Sequence, residues 1–377
     1  MKSLILSLLL LELFTLSISK DLNTFYKEYI KTYGYDLEEH PVTTSDGYIL
    51  PIWHISPKTP NGKVVFLQHG LCDTAWTFFQ SAENSISFLL LKEGYDIWLG
   101  NVRGNLFTSH KTKDKNKLNG EFYEYSIDDF VQTDLPTMVN YVKAKTDVKK
   151  MSYIGHSQGT TMFFMLNMHN PSFAQENFDK FVALGSVPNI AYTNFTPIEI
   201  LDKLSGILKA VSIFNTFNLS NTQRQMVSDF CKTFPGICGK FFDMATSPTP
   251  TGRIDYKEIY NFMYYYPGGV GKPNLLHWSQ IHKEKKLVYY NPNYEKEKTA
   301  KPYDTENLKK WKIKALIART DDDTFSSYKD VTEFYNIVEN KSLIQLLDLK
   351  SYSHMDVLAA KSALEDIYYP ILNFLKN

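Results

Sequence analysis

The sequence predicts an α/β architecture: a mostly parallel central sheet with helices on both faces, interrupted by a mostly helical cap insertion. Three observations predict it. Short β-branched and aromatic runs recur along the chain; helix-like stretches separate them; and the pattern halts after Gly185 and resumes at Ile313. Strands alternating with helices are the signature of a parallel sheet covered on both sides.

The runs come in order. Lys63 to Gln68 contains Val64-Val65-Phe66-Leu67 and ends at His69-Gly70. Tyr95 to Leu99 ends at Gly100, Met151 to Ile154 at Gly155, and Phe181 to Leu184 at Gly185. Ile313 to Ala318 and Leu343 to Leu347 complete the set. Each has the length and composition of a buried strand. Between the second and third runs, Ser126 followed by Asp128 and Asp129 marks a helix start, leading into Phe130-Val131 and Val139-Tyr141-Val142.

Residues 188–309 hold no clear strand run and are rich in Phe, Tyr, Asn, Lys and Pro. Because strand-like runs resume at Ile313, this segment reads as an insertion over the C-terminal edge of the sheet. The resulting division is 20–187 for the first part of the core, 188–309 for the cap and 310–377 for the second part.

Residues 1–19 read as a signal peptide. Lys2 precedes an apolar run through Leu11, and Ser17-Ile18-Ser19 supplies small residues for cleavage. A membrane anchor fits less well, because the run falls short of the roughly 20 residues a span needs and Glu12 interrupts it. The expected destination is the secretory route, secreted or lysosomal. Acidic and basic side chains balance at 41 each, which argues against nucleic acid or another polyanion as partner. Of the three cysteines, Cys231 and Cys238 are close enough to close a short loop, leaving Cys72 over. No Cys or His pair has the usual zinc-ligand spacing, so no metal site is expected. Asn194, Asn218 and Asn340 head Asn-x-Ser/Thr sequons, candidate glycosylation sites in an exported chain.

Gly155-His156-Ser157-Gln158-Gly159 matches G-x-S-x-G. The pattern alone is weak; its setting is specific. It follows a predicted strand and precedes Thr160 to Leu166, an apolar helix candidate. That is the strand–turn–helix context of a nucleophile elbow, which lifts the serine hydroxyl above the sheet at a helix N-terminus. A structural turn with an idle serine is the plainer reading, and the context disfavours it.

A serine hydroxyl needs a base. In such a fold the acid and then the histidine follow the serine. His169 lies in the elbow helix, and His277 and His282 fall in the insertion. His354 alone follows the last strand run, in a loop before a predicted helix. The acid belongs after the run ending at Ala318, where Asp321, Asp322 and Asp323 stand in a row. Physical reasoning does not choose among them. The oxyanion hole needs two backbone N–H groups, assigned to Gln158, after the nucleophile, and to Leu71, in the loop after the first run. His69 reads as a brace for that loop.

These residues together resemble the gastric and lysosomal acid lipase family. Phe66 to Leu71 is similar to its oxyanion segment; Gly94 to Asn101 with Arg103-Gly104-Asn105 is similar to the segment that follows; Gly155 to Thr161 is similar to its elbow; Ser353-His354-Met355-Asp356 is similar to its histidine motif. The resemblance runs from about Tyr29 to the C-terminus. It implies an α/β-hydrolase fold with a lid, triacylglycerol or sterol-ester substrates met at a lipid–water interface, and no cofactor. It also implies an acid: the family places its aspartate eight positions before the valine of an aspartate–valine pair, and Asp330-Val331 then points to Asp323. The chain departs from the family in the turn Thr324 to Tyr328, in most of the cap apart from Leu276 to Gln280, and in having two cap cysteines where the family has three.

Two other classes compete. A carboxylesterase, thioesterase or peptidase would share the fold but take soluble substrates. A non-catalytic lipid carrier would lack the nucleophile or base, whereas Ser157, Asp323 and His354 are all present.

Overall fold

A computed structural model of the chain describes residues 22–117, 120–193, 198–199, 202–203, 205, 219–246, 252–256, 259–325 and 327–377. The sequons at Asn194 and Asn218 and the leader at 1–19 lie outside the described residues.

Nine strands form one sheet. They are β1 (Glu38–Thr43), β2 (Tyr48–Ile55), β3 (Val64–Gln68), β4 (Asp96–Gly100), β5 (Ser109–His110), β6 (Met151–His156), β7 (Phe178–Leu184), β8 (Lys314–Thr320) and β9 (Ile344–Leu349). The order is β1-β2-β4-β3-β6-β7-β8-β9, with β5 beside β2. Neighbours from β4 through β9 run parallel, and β1, β2 and β5 pair antiparallel at one side.

The inner parallel strands are mostly apolar because both faces are covered, whereas the edge strand β9 exposes Gln345 and Asp348. Val64 and Phe66 enter one hydrophobic cluster with Tyr153, Phe181, Ala183, Ala315 and Ile317. Val65 and Leu67 enter the opposite one with Ile154, Val182, Leu184, Leu316 and Ala318. This alternation follows from the two-residue period of a strand.

The antiparallel strands were not anticipated. Pro41 and Pro51 face each other in the β1–β2 register. Proline reads as a strand breaker, yet Pro41 stands on the edge strand, and Pro51 falls between the stretches of β2 that pair with β5 and with β4, where a missing N–H is tolerated. Pro51 also contributes its carbonyl, which accepts a hydrogen bond from Asn101 Nδ2 at 2.9 Å.

Helices α1 (Leu22–Thr32), α2 (Ile86–Lys92), α3 (Leu135–Thr146) and α4 (Gln158–His169) belong to the first part of the chain. The expected helix start at Ser126 carries a capping box with Asp129. In α1, Tyr26 stacks on Trp53 of β2, ring centroids 4.3 Å apart. The 188–309 segment supplies α5 (Asn221–Thr233), α6 (Pro235–Thr246), α7 (Ile259–Tyr265) and α8 (Lys272–Glu284). Its two halves pack differently. Phe242, Ile259, Phe262 and Tyr265 join Trp76 and Phe79 in one cluster. Trp278 and Ile281 of α8, with Val288 and Tyr303 beyond it, join α4 in the other. Helices α9 (Tyr328–Ile337) and α10 (Tyr369–Lys376) close the fold. Among the described residues no helix is long and apolar enough to cross a membrane.

Candidate active site

The site is built where β3, β6 and β8 end. Ser157 sits between β6 and α4 with φ 52° and ψ −123°, a conformation costly for any residue with a side chain. The surrounding glycines make the turn sterically feasible. A Cβ on Gly159 would lie 2.3 Å from the Gln68 carbonyl oxygen, and one on Gly155 2.8 Å from the Gly159 carbonyl carbon. The helix start therefore sits directly on β3 and β6. Thr160 holds the turn from behind: its hydroxyl donates to the Ser157 carbonyl at 2.7 Å and accepts the Val187 N–H at 2.8 Å.

The three chain-distant residues singled out from sequence meet here. His354 Nε2 lies 2.7 Å from Ser157 Oγ, and His354 Nδ1 lies 2.7 Å from Asp323 Oδ2. With Nδ1–H donating to the carboxylate, Nε2 carries a lone pair facing the Ser157 hydroxyl. Asp323 Oδ1 also accepts the Phe325 N–H at 2.9 Å, which fixes the carboxylate plane. Asp321 points elsewhere, accepting the Ser351 N–H at 2.6 Å, and of the three acidic residues only Asp323 is buried. The Phe325 ring lies 4.6 Å from the His354 ring, centroid to centroid. The departure at Thr324-Phe325 thus places an aromatic wall against the histidine, a neighbour that sequence reading did not identify.

Leu71 and Gln158 flank the serine. Leu71 lines the same cavity as Ser157. Gln158 opens α4, where the first N–H groups of a helix have no partner within it. Its side chain is held from above, Oε1 accepting the Trp278 indole N–H at 2.8 Å. His69 braces the Leu71 loop, its Nδ1 donating to the Gly70 carbonyl at 2.9 Å. Its Nε2 faces the Val102 N–H at 3.4 Å and the Asn105 amide at 3.3 Å. Burial lowers the His69 pKa to about 4, so the ring is neutral and accepts on that nitrogen. Asn105 in turn donates to Asn101 Oδ1 at 2.8 Å, and Asn101 Oδ1 accepts the Ala75 N–H at 3.0 Å. The Asn101–Asn105 segment is therefore scaffolding for the Leu71 loop.

A cavity opens over Ser157. Its walls are mostly apolar: Val187, Ile190, Ile198, Tyr266, Trp278, Phe325 and Met355. Trp278 and Tyr266 bring the two halves of the 188–309 segment to the same chamber. Cys72 and Asp73 also line it, unanticipated from sequence. Burial pushes the Cys72 thiol up to about 12, keeping it protonated, and the Asp73 carboxyl up to about 7. Cys231 and Cys238 are joined by a disulfide across the α5–α6 junction, and Cys72 is free.

Fold and site together define an α/β hydrolase. The family model described as alpha/beta hydrolase fold matches residues 63–356, and that of a partial alpha/beta-hydrolase lipase region matches 26–82. The chain is 30% identical to human lipase member K, the match covering 93% of this chain and 90% of that protein. It is also 30% identical to bovine gastric triacylglycerol lipase (92% and 89% covered) and to lipase lipl-1 of Caenorhabditis elegans (92% and 90%). The chain belongs to the acid lipase family, the gastric and lysosomal type. At the level of fold, a putative lipase from Acinetobacter baumannii superposes with a TM-score of 0.55 at 12% identity, covering 94% of this chain and 97% of that one.

Proposed function

We propose that this enzyme hydrolyses the carboxylic ester bonds of neutral lipids, triacylglycerols or sterol esters, through an acyl-enzyme on Ser157. The observation that carries the reading is the Ser157–His354–Asp323 relay, two contacts of 2.7 Å beneath an apolar chamber.

His354 Nε2 takes the Ser157 proton as Oγ attacks the ester carbonyl carbon. Asp323 holds the Nδ1–H and stabilises the imidazolium. The tetrahedral oxygen accepts hydrogen bonds from the Leu71 and Gln158 N–H groups. Collapse breaks the ester C–O bond, and the proton on Nε2 passes to the departing alcohol. Water then repeats the sequence on the acyl-enzyme and releases the fatty acid. No step uses a cofactor.

Residues 188–309 act as the cap between core segments 20–187 and 310–377. Its α5–α6 pair exposes Met226, Phe230, Phe234 and Ile237, between 49% and 66% accessible. Apolar side chains this exposed suit contact with a lipid surface. Since α8 is anchored through Trp278 to Gln158, and α7 through its Asn261 carbonyl to the Trp76 indole N–H, the part of the cap that would open is the α5–α6 pair. The disulfide fits an oxidising compartment, which supports the secretory route with a secreted or lysosomal destination. Asn340, exposed and accepting the Ser342 hydroxyl at 2.6 Å, is a glycosylation site on this reading.

The test pairs chemistry with substrate. Ser157→Ala should lower turnover by about 10⁴- to 10⁶-fold with the fold intact, and an organophosphonate should label the wild-type serine alone. Activity on a short-chain triglyceride is then followed across its solubility limit. A sharp rise above saturation supports a lipase. A smooth hyperbola through that limit assigns the protein to the soluble-ester carboxylesterases instead.

A further inference from the structure

We propose that Glu38, His40 and His54 form a binding site for a borderline divalent transition ion, Zn²⁺ being the fitting one, on the sheet edge remote from Ser157. The strand register creates the cluster. Glu38 pairs directly with His54 across β1–β2, and His40 stands two residues along β1 on the same face. His54 is in turn opposite Trp98, the middle residue of β4.

The three side chains offer one ligand atom each, all within 4.8 Å of one another. His40 Nε2 lies 3.4 Å and His54 Nδ1 3.7 Å from Glu38 Oε2. Bonds of roughly 2.0 Å at tetrahedral angles put neighbouring ligand atoms about 3.3 Å apart, close to these separations. Both nitrogens are shielded from solvent, and neither meets hydrogen-bond geometry with the Glu38 carboxylate that faces it. A charge-assisted histidine–carboxylate hydrogen bond closes to about 2.7–2.9 Å, shorter than either separation.

The opposite ring nitrogens are already held. His54 Nε2 lies 2.7 Å from Asp96 Oδ1, and Asp96 Oδ2 accepts the Trp98 indole N–H at 3.0 Å. With Nε2–H donating to Asp96, the lone pair of His54 is on Nδ1, facing Glu38. His40 Nδ1 lies 3.0 Å from the Tyr141 hydroxyl of α3. Carboxylate–histidine pairs of this kind set tautomer and ring direction at metal sites. Trp98 forms the apolar floor, stacked on His54 with ring centroids 4.0 Å apart and tilted against His40 at 4.9 Å.

Two imidazoles and one carboxylate suit Zn²⁺ and leave a fourth position for water. A bound ion would staple β1 to β2 and, through Asp96, to β4. Linear spacing concealed the site: the sequence expectation of no metal rested on ligands close along one segment, whereas these come from two strands paired across the sheet edge.

The experiment titrates the purified full chain with Zn²⁺ against a chromophoric chelator at neutral pH, and with Co²⁺ followed by its visible absorption. Wild type should bind one equivalent more than His40→Ala, His54→Ala or Glu38→Gln, and should show d–d bands of a four-coordinate site that the variants lack. Asp96→Asn should weaken binding by about 10- to 100-fold. Zn²⁺ should raise the melting temperature of wild type and not of the three ligand variants. Ester hydrolysis, performed beyond β6, three strands along the sheet from β2, reports that each variant is folded; Glu38→Gln, at an exposed position, guards against loss of fold in the histidine variants. Equal stoichiometry, or an unchanged Co²⁺ spectrum, in wild type and variants overturns the site.

Discussion

Gly70 and Ser157 approach so closely that a Cβ on Gly70 would stand 2.8 Å from the serine Cβ. The loop carrying Leu71 and the elbow carrying the nucleophile are therefore locked together by the absence of one methyl group. On the proposed mechanism, contacts this tight set the distance between the attacking oxygen and the donors that stabilise its product.

Gly70→Ala should push Ser157 or the Leu71 loop aside. A displacement near 1 Å costs about 10²-fold in turnover, with the overall fold retained. Steady-state kinetics on a soluble ester, beside a circular dichroism spectrum, reads this. Full activity would show that the loop relaxes freely.

The carboxylate comparison is sharper. Asp323→Asn should lose about 10⁴-fold in turnover, because an amide no longer fixes the Nδ1–H tautomer of His354. Asp321→Asn and Asp322→Asn should stay within about tenfold of wild type, since neither contacts His354. Loss centred on Asp322 would displace the assignment by one residue.

Asp73 gives a pH signature. Burial lifts its carboxyl from 3.8 to about 7. A carboxyl raised on folding stabilises the fold fully below pH about 4, and this contribution is lost as pH rises toward about 7. Asp73→Asn stays neutral, so its stability should change less between these values. Above pH 7 the ionised wild-type side chain opposes negative charge on the reacting oxygen, and the variant should keep more of its alkaline activity. Chemical denaturation and rate profiles across pH check both; superimposable profiles would remove Asp73 from the account.

Cys231→Ser opens a loop with a sequence separation of 7. Loop entropy assigns the bond about 2–3 kcal/mol. Thermal unfolding should shift down or lose cooperativity in the cap, while hydrolysis of a soluble ester at low temperature persists. An unchanged melting profile would mean that the α5–α6 pair is held by its apolar contacts alone.

The sequence by itself determined the parallel half of the sheet and the order of the site. Strands buried on both faces must be largely apolar, so β3, β4, β6, β7 and β8 were visible as runs, and the edge strand β9 through its aliphatic residues alone, each near the residues it positions. The G-x-S-x-G turn and the single histidine after the last run then named Ser157 and His354. Composition could not separate Asp321, Asp322 and Asp323. Only the fold shows that the third is buried against His354 Nδ1 at 2.7 Å. The same holds for β1 and β2, hidden by Pro41 and Pro51, and for the meeting of Glu38, His40 and His54 across them. Tertiary structure alone decided which parts of 188–309 belong to the core clusters and that Trp278 clasps Gln158. Local periodicity reports how much of a segment is covered. It carries no record of which distant side chain does the covering, because that depends on strand register and chain crossing rather than on neighbours in sequence.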